Sequence, residues 1–294
     1  MFSGSLVAIV TPFKNGRFDE HAYSDLLEFH MANGTHGIVP CGTTGESATL
    51  SHAEHERVVA LTVEIVDRRI PVIAGTGSNA TDEAIAFTRH AKQVGADGAL
   101  LITPYYNKPT QEGLYQHYAA VARAVDLPLI LYNIPGRTSV NMTPATIARI
   151  ASLPAVVGIK EGSGSLGQVS EIVHQCRAQG RDAFTLLAGD DALTLPMMAL
   201  GAKGVITVTA NVAPRDMAGL VNAALAGDYT EARALHFKLA PLFGALFYET
   251  NPIPVKAALS MMNKIGPELR LPLTPLSSDH QERLRHIMQE TGLL

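Results

Sequence analysis

One lysine of the sequence has the surroundings that amine chemistry requires. Lys160 directly follows the apolar run AVVGI (155–159), and no other lysine directly follows the core of such a run. An apolar environment disfavours the ammonium form, so this lysine can present a free amine near neutral pH and attack a ketone to form an imine. The alternatives are a lysine paired with a carboxylate such as Glu161 or Asp190, or one that is simply exposed. Position alone leaves these interpretations open.

Imine chemistry also needs groups that carry protons, because the carbinolamine must lose water. Tyr132 ends the run LPLILY (127–132), and a phenol can both donate and accept a proton. Further hydroxyl groups follow other apolar runs, at Thr43, Thr44 and Tyr106. Singly, each is an ordinary loop threonine or packed tyrosine. Together they predict a proton relay around the lysine.

Arg137 lies in the turn after Tyr132, and its two-pronged guanidinium could hold a substrate carboxylate, although a lone arginine is more often a surface residue. A phosphorylated substrate is disfavoured. It would require a glycine-rich or cationic site near the end of the pattern, where Asp190 and Asp191 stand instead. The sequence therefore favours a small substrate that carries a carboxylate.

Metal and nucleotide cofactors have little support in the sequence. His52 and His55 are three residues apart, whereas the helical zinc motif of metalloproteases places its histidines four apart. Ser51 and Glu54 instead predict a capping box that begins a helix at this point. The glycines of GTTGE (42–46) match neither a P-loop nor a dinucleotide fingerprint. We therefore expect no metal site and no cofactor.

The candidate residues share one position in a repeating pattern of apolar runs and helical segments. The runs are continuous rather than alternating, as expected of parallel strands covered on both faces. They begin near residues 6, 37, 71, 98, 127, 155, 184 and 204. Eight such units predict an α/β fold, a TIM (β/α)8 barrel, with an open doubly wound sheet as the alternative. In a barrel, residues that end the strands meet at one face and form the active site.

The pattern changes after residue 224. Three helical segments follow, with no further strand pattern: DYTEARALHFKLAPLF (228–243), NPIPVKAALSMMNKI (251–265) and SDHQERLRHIMQETG (278–292). We therefore expect a catalytic barrel over residues 1–224 and a C-terminal helical extension over residues 225–294.

Composition narrows the class of protein. Of the 294 residues 47% are hydrophobic and 17% charged, and the formal net charge of −4 gives no electrostatic reason to bind nucleic acid or membrane. No signal-peptide pattern and no apolar stretch of membrane-spanning length is present. Cys41 and Cys176 are too isolated for a disulfide framework or a zinc site. These features predict a cytoplasmic enzyme that acts on small molecules.

The chain resembles the dihydrodipicolinate synthase family of the pyruvate-dependent class I aldolase superfamily. The resemblance runs essentially end to end and rests on segments in the family's order: GTTGESATL, PVIAGTG, TPYYNKPTQEGLYQHY, LYNIPGRT, GIKE, GDD, GVITVTAN and NPIPVK. It implies a TIM-barrel lyase that condenses pyruvate with L-aspartate 4-semialdehyde without a dissociable cofactor. The product would be 4-hydroxy-tetrahydrodipicolinate, on the diaminopimelate route to lysine.

The resemblance also implies roles for individual residues. Lys160 would form the Schiff base, and Arg137 would bind the carboxylate of the aldehyde substrate. The proton relay would comprise Tyr132, Thr43 and Tyr106, with Tyr106 reaching into the site of the neighbouring subunit. The pyruvate site would be lined by Thr44 and by the backbone at Gly189 and Ile206. The family is typically a homotetramer built from two tight dimers.

Family members that lysine inhibits bind it at the tight dimer interface. The matching positions here are Ser47, Ala48, His52, His55, Asn79, Glu83 and Tyr105. All are residue types compatible with such a site, so the resemblance implies lysine as an effector. Cys41, Gly162 and Ser163 depart from the family pattern, and these departures could reshape the pocket without removing a catalytic group.

Two rival interpretations share part of the pattern. N-acetylneuraminate lyase and the keto-deoxy-sugar-acid aldolases would have the same lysine and tyrosine, but Arg137 in its GRT turn favours a short substrate with its own carboxylate. A non-catalytic metabolite sensor could retain the pocket alone. The complete set of lysine, tyrosine and threonine side chains argues against a sensor.

Overall fold

The computed structural model describes residues 2–294. Its strands, in chain order, are β1 (Gly4–Ala8), β2 (Phe13–Lys14), β3 (Arg17–Phe18), β4 (Gly37–Val39), β5 (Ile73–Gly75), β6 (Gly98–Ile102), β7 (Leu129–Asn133), β8 (Val156–Glu161), β9 (Thr185–Ala188) and β10 (Gly204–Thr207). Its α-helices are α1 (Glu20–Ala32), α2 (His52–Val66), α3 (Thr81–Val94), α4 (Gln111–Ala124), α5 (Pro135–Thr138), α6 (Pro144–Ala151), α7 (Leu166–Ala178), α8 (Thr194–Ala199), α9 (Pro214–Leu225), α10 (Tyr229–Ala245), α11 (Ile253–Met261) and α12 (Ser278–Glu290).

Eight of the strands form one parallel sheet in the order β4-β1-β10-β9-β8-β7-β6-β5. A parallel bridge between Ile38 and Val72 joins the two ends of this order and closes the barrel. The predicted TIM barrel is therefore confirmed, and all eight predicted strands are present. An open doubly wound sheet is excluded by this closure.

Two layers of apolar side chains hold the barrel together. The larger layer packs between the strands and the surrounding helices. The smaller one fills the barrel interior and contains Leu6, Ala8, Val39, Ile73, Leu100, Ile130, Tyr132, Leu187 and Ile206. Burial on both faces explains why the strands read as continuous apolar runs. It also places Tyr132 inside the barrel.

Short polar signals fix where the site-forming helices begin. At the start of α2 the Ser51 hydroxyl accepts the Glu54 N–H, and the Glu54 carboxylate accepts the Ser51 N–H at 2.9 Å. This is the predicted capping box, which satisfies two backbone donors that the helix itself leaves unpaired. Thr110 caps α4 in a similar way by accepting the Gly113 N–H.

The hairpin of β2 and β3 was not predicted. Its turn is Asn15–Gly16, and both residues have positive φ (54° and 74°), as a tight two-residue hairpin turn requires. The C-terminal helices α10, α11 and α12 occupy the three predicted segments. Over residues 2–294 no helix is both long and apolar enough to cross a membrane.

Candidate active site

Lys160 and Tyr132 face each other on adjacent strands. The parallel register of β7 and β8 pairs Tyr132 with Lys160, and the lysine Nζ lies 4.4 Å from the centroid of the tyrosine ring. Both side chains are buried, with relative exposures of 5% and 6%. The structure therefore brings the predicted amine and the predicted phenol together at the end of the barrel where the strands finish.

Burial is the main cause of the unusual acidity of the Lys160 ammonium. The pKa of Lys160 is lowered to about 8: burial and the nearby Arg137 lower it, and the Asp191 carboxylate opposes the change. A pKa in this range leaves a sizeable fraction of free amine near neutral pH, which imine formation needs.

The ion-pair alternatives considered for Lys160 are wrong. Glu161 instead accepts the Asn133 Nδ2–H at 3.0 Å and the Ser163 N–H at 2.7 Å. Asp190 accepts the Ala192 N–H at 2.9 Å. Within residues 2–294 Lys160 forms no salt bridge. The amine is therefore not committed to a carboxylate.

Asp191, rather than its neighbours, is the carboxylate that acts on Lys160, and sequence reasoning missed this. It is buried and accepts hydrogen bonds from the Val208 N–H (3.1 Å), the Thr209 N–H (2.7 Å) and the Thr209 hydroxyl (2.6 Å). Burial raises the pKa of Asp191, while the hydrogen bonds from Thr209, the Thr207 side chain and the Lys160 charge lower it. The GDD motif was the available signal, but it did not say which aspartate turns inward.

The two threonines after β4 occupy different surroundings. Thr43 lines the same cavity as Tyr132. Burial raises the pKa of Tyr132, and Arg137 and the Thr43 side chain oppose this increase. Thr44 is buried, and its hydroxyl accepts the Asn251 Nδ2–H at 3.0 Å. Thr43 thus lies beside the Tyr132 phenol, and Asn251 of the C-terminal region orients the hydroxyl of Thr44.

Arg137 stands on α5 at the mouth of this cavity. Its Nη2 donates to the Asn251 carbonyl at 3.1 Å, and its side chain is otherwise exposed. The cavity has a volume of about 490 Å³ and an open mouth, so small molecules can enter it. A guanidinium held at the rim in this way can still offer a donor to an entering carboxylate.

Neither Gly189 nor Ile206 is among the residues that line the open cavity. Ile206 is buried in the barrel interior, on the opposite side of the closed sheet from β6. The Gly189 N–H donates to the Glu161 carbonyl at 2.8 Å, and a Cβ at this position would lie 2.9 Å from that oxygen. A glycine is required there because the two backbones approach so closely.

Tyr106 is not among the residues that line the cavity of its own chain. Its side chain is 89% exposed, and its backbone has a φ of 69°. The adjacent Tyr105 is only partly exposed and does line the cavity. The structure therefore separates the third predicted relay hydroxyl from the other two within one chain.

The residues assigned to a lysine effector form the far part of the same cavity. Six of the seven line it: Ser47, Ala48, His52, His55, Glu83 and Tyr105. Asn79 does not, and its carbonyl accepts the Asn107 Nδ2–H at 2.8 Å. The described chain holds no cluster of three or more histidine, cysteine, aspartate or glutamate side chains that could bind a metal.

Two histidines shape this far part differently. The His52 Nε2 pairs with the Glu83 carboxylate at 2.7 Å. Hydrogen bonds from Ser78 and His52 lower the pKa of Glu83, so its charge is retained. His55 stacks on Phe87 with ring centroids 4.0 Å apart, and burial lowers its pKa. The result is one charged wall and one neutral wall.

The positions that depart from the family pattern have clear structural surroundings. Cys41 is buried, lines the cavity, and its Sγ lies 3.7 Å from the His55 carbonyl. Burial raises the pKa of this thiol, so it packs as a small neutral group. Gly162 and Ser163 follow β8, and the Gly162 N–H donates to the Asn133 carbonyl at 2.8 Å.

An eight-stranded barrel with a desolvated lysine beside a phenol at its strand ends has the groups that an enzyme with an amine nucleophile requires. The family model for the dihydrodipicolinate synthetase family matches residues 1–291, and the chain belongs to this family.

Known proteins resemble the chain over its full length. The 4-hydroxy-tetrahydrodipicolinate synthase of Syntrophobacter fumaroxidans is 61% identical over 295 residues, covering 100% of both chains. The crystal structure of the chloride-inhibited dihydrodipicolinate synthase of Acinetobacter baumannii, complexed with pyruvate, is 47% identical, with a TM-score of 0.97 and 100% of both chains covered. The crystal structure of the dihydrodipicolinate synthase of Cyanidioschyzon merolae with lysine bound is 40% identical, with a TM-score of 0.95, and the match covers 100% of this chain and 99% of the other.

Proposed function

We propose that this protein is a 4-hydroxy-tetrahydrodipicolinate synthase, which joins pyruvate to L-aspartate 4-semialdehyde through a Schiff base on Lys160. The observation that carries the proposal is the buried, unpaired Lys160 amine facing the Tyr132 ring at the end of β8. The name of the full-length relative and the pyruvate held by the Acinetobacter enzyme support it. The product enters the diaminopimelate route to lysine.

The chemistry begins at the Lys160 nitrogen. Its lone pair attacks the ketone carbon of pyruvate, and the carbinolamine loses water to give an imine. Loss of a methyl proton then gives an enamine, whose carbon forms the new carbon–carbon bond with the aldehyde. The amino group of the former aspartate semialdehyde finally replaces the lysine nitrogen, which closes the ring and frees the enzyme.

The surrounding residues would move the protons and hold the substrates. Tyr132 and Thr43 carry protons between the carbinolamine and solvent. Thr44 and the backbone at Gly189 and Ile206 line the pyruvate site, and Arg137 binds the carboxylate of the aldehyde substrate. No cofactor takes part in these steps.

The assembly completes the relay. Tyr106 is exposed in a single chain, which suits a residue that enters the site of a neighbouring subunit in a tight dimer. Two such dimers would form a homotetramer, and the enzyme would act in the cytoplasm. Analytical ultracentrifugation of the purified protein would give the mass of a tetramer, whereas a monomer at working concentrations would contradict this assembly.

Lysine would act as an effector in the far part of the cavity. The charged Glu83 suits an ammonium group, and the lysine bound to the Cyanidioschyzon enzyme supports the assignment. In steady-state assays, added lysine should inhibit, and Glu83→Gln should raise the concentration needed for half inhibition. Inhibition that is absent in the native enzyme would reject the effector site and leave the catalytic proposal intact.

Chemical trapping tests the catalytic proposal directly. Borohydride added in the presence of pyruvate should reduce the imine and leave a stable adduct, which peptide mass mapping should place on Lys160. Lys160→Ala should abolish the adduct, whereas Lys108→Ala, a change in an exposed loop, should retain it. An adduct on another lysine, or turnover with N-acetylmannosamine rather than aspartate semialdehyde, would overturn the proposal.

A further inference from the structure

A second buried lysine links the C-terminal region to the loop of residues 42–46, here called the threonine loop, which carries Thr43 and Thr44. Lys256 on α11 has its Nζ 2.5 Å from the Glu46 Oε1, and the two side chains are 0% and 1% exposed. The same Nζ donates to the Thr11 carbonyl at 2.9 Å. Removing two charges from water is costly, and an isolated buried pair adds little stability over apolar packing. The role of the Lys256–Glu46 pair is therefore inferred from the groups that it holds in place.

Both polar contacts of Lys256 fall on the frame of the loop that carries the two threonines. The Glu46 N–H donates to the Thr43 carbonyl at 3.1 Å, and the Gly45 N–H donates to the Gly42 carbonyl at 3.1 Å, so residues 42–46 form consecutive tight turns. The Thr11 hydroxyl donates to the Gly45 carbonyl at 2.7 Å. One ammonium group thus holds the end of the turns and the strand-end segment that braces them.

The Glu46 carboxylate is held from a second side. The Arg270 backbone N–H donates to its other oxygen at 3.1 Å, while the Arg270 guanidinium is engaged with the Glu54 carboxylate. The Thr44 hydroxyl, in turn, accepts the Asn251 amide. Three residues of the C-terminal region therefore fix a loop that lies more than 200 positions earlier in the chain.

We propose that Lys256 is a positioning residue for the reaction: through Glu46 and Thr11 it fixes the turn that aims Thr43 and Thr44 at the reacting centre. This inference rests on the proposed roles of the two threonines. It assigns to α11 a part in catalysis, because the two threonines stand in the loop after β4 whereas the group that orients this loop comes from outside the barrel. A role in stability alone would leave turnover per folded molecule unchanged.

The test uses uncharged replacements of similar length in the full-length enzyme. Glu46→Gln and Lys256→Met each leave one buried charge unpaired, whereas the double variant removes both charges. Lys238→Met is the matched control, since it removes a lysine from the exposed pair with Asp216 on the outer helices. For each protein we would measure Tm, kcat/KM for pyruvate below Tm, and the borohydride adduct on Lys160 at saturating pyruvate.

A positioning role predicts that the double variant regains thermal stability but not turnover. The single variants should lose Tm, and the double variant should recover part of it because no buried charge is left unpaired. In all three, kcat/KM should stay about tenfold to a hundredfold below the native value, since small misplacements of reacting groups are costly. The Lys160 adduct should still form, because β8 is untouched. The control should match the native enzyme in each measurement.

A double variant that turns over within about twofold of the native enzyme would overturn the positioning role. If the charge-neutral variants do not fold, Glu46→Asp decides, since it keeps the charge but withdraws the carboxylate by one methylene. Its kcat/KM should fall by at least about tenfold, and native-like turnover would again overturn the inference. Absence of the Lys160 adduct in the native enzyme would instead reject the proposed function, so the two failures are distinguishable.

Discussion

Lys160 and Lys256 are both buried, yet their surroundings give them opposite uses. Burial lowers the pKa of each, but the Glu46 carboxylate beside Lys256 opposes the change through direct contact. The Lys160 Nζ instead lies 4.4 Å from the centroid of the Tyr132 ring, and only a non-contacting carboxylate, Asp191, supports its charge. A lysine paired with a carboxylate at 2.5 Å is held in place as part of the structure, whereas a buried lysine without an ion-pair partner can release its proton and attack.

The acidity of Lys160 predicts how imine formation depends on pH. Only the free amine is a nucleophile, so the rate should rise as pH rises and reach half of its maximum near the pKa of about 8. The measurement is the initial rate of adduct formation at low pyruvate, with samples reduced by borohydride after short delays. A midpoint near the ordinary lysine value of 10.5 would show that burial does not act as described.

Replacing Asp191 should move that midpoint in a defined direction. The carboxylate raises the pKa of Lys160, so Asp191→Asn should shift the midpoint to lower pH. The asparagine carbonyl can still accept the hydrogen bonds from Val208 and Thr209, which limits structural damage. Asp190→Asn is the control, because Asp190 is engaged only with the Ala192 N–H. An upward shift for Asp191→Asn, or an equal shift for both variants, would contradict the argument.

At the scale of elements, the barrel strands were predictable because burial on both faces leaves long apolar runs. The hairpin of β2 and β3 was not, since two-residue strands show no periodicity. Its only signal was the Asn15–Gly16 pair, which is typical of a two-residue turn and which the apolar-run analysis did not use. Strand existence was therefore easier to predict than irregular connections.

The part of the site that lies at the strand ends was predictable, because a barrel brings the ends of its strands together at one face. Lys160, Tyr132 and Thr43 lie together for that reason. The contacts of Asn251 with Thr44 and of Lys256 with Glu46 span 207 and 210 positions and depend on where the C-terminal helices dock. No local sequence pattern predicts where these helices dock. The segment NPIPVK did place a polar residue and a lysine in an apolar context, which was a signal of burial but not of a partner.

The crossing between β5 and the threonine loop predicts a strict requirement for glycine. A Cβ at Gly75 would lie 2.3 Å from the Cys41 carbonyl oxygen, which is backbone and cannot move without shifting the loop. Gly75→Ala should therefore destabilise the protein by about 1–3 kcal/mol. Gly244→Ala on α10 is the control, because nothing lies within 4 Å of its added Cβ, and it should gain up to about 1 kcal/mol. Chemical denaturation measures both, and equal stabilities would contradict the steric argument.

In the molecule as a whole, the barrel carries the proposed reactive groups, and the segments outside it form part of the cavity around them. The C-terminal region closes one wall of the cavity with Thr250, Asn251, Pro252, Pro272 and Leu273. Six of the seven effector positions line the same cavity, together with Thr43, Tyr132 and Arg137. The exposed Tyr106 is the remaining relay residue, and a single chain does not bring it to this space.

Subunit mixing tests whether Tyr106 serves a neighbouring chain. Tyr106→Phe and Lys160→Ala should each be nearly inactive as pure proteins. After dissociation and random reassembly about half of the dimers are hybrids, and each hybrid regains one complete site of its two, so about one quarter of native activity should return. Tyr132→Phe mixed with Lys160→Ala is the control, because those residues belong to the same chain's site and no hybrid can restore it. A Tyr106→Phe mixture that remains as inactive as this control would place the Tyr106 hydroxyl in its own subunit's chemistry. Full activity of pure Tyr106→Phe would instead place that hydroxyl outside the reaction.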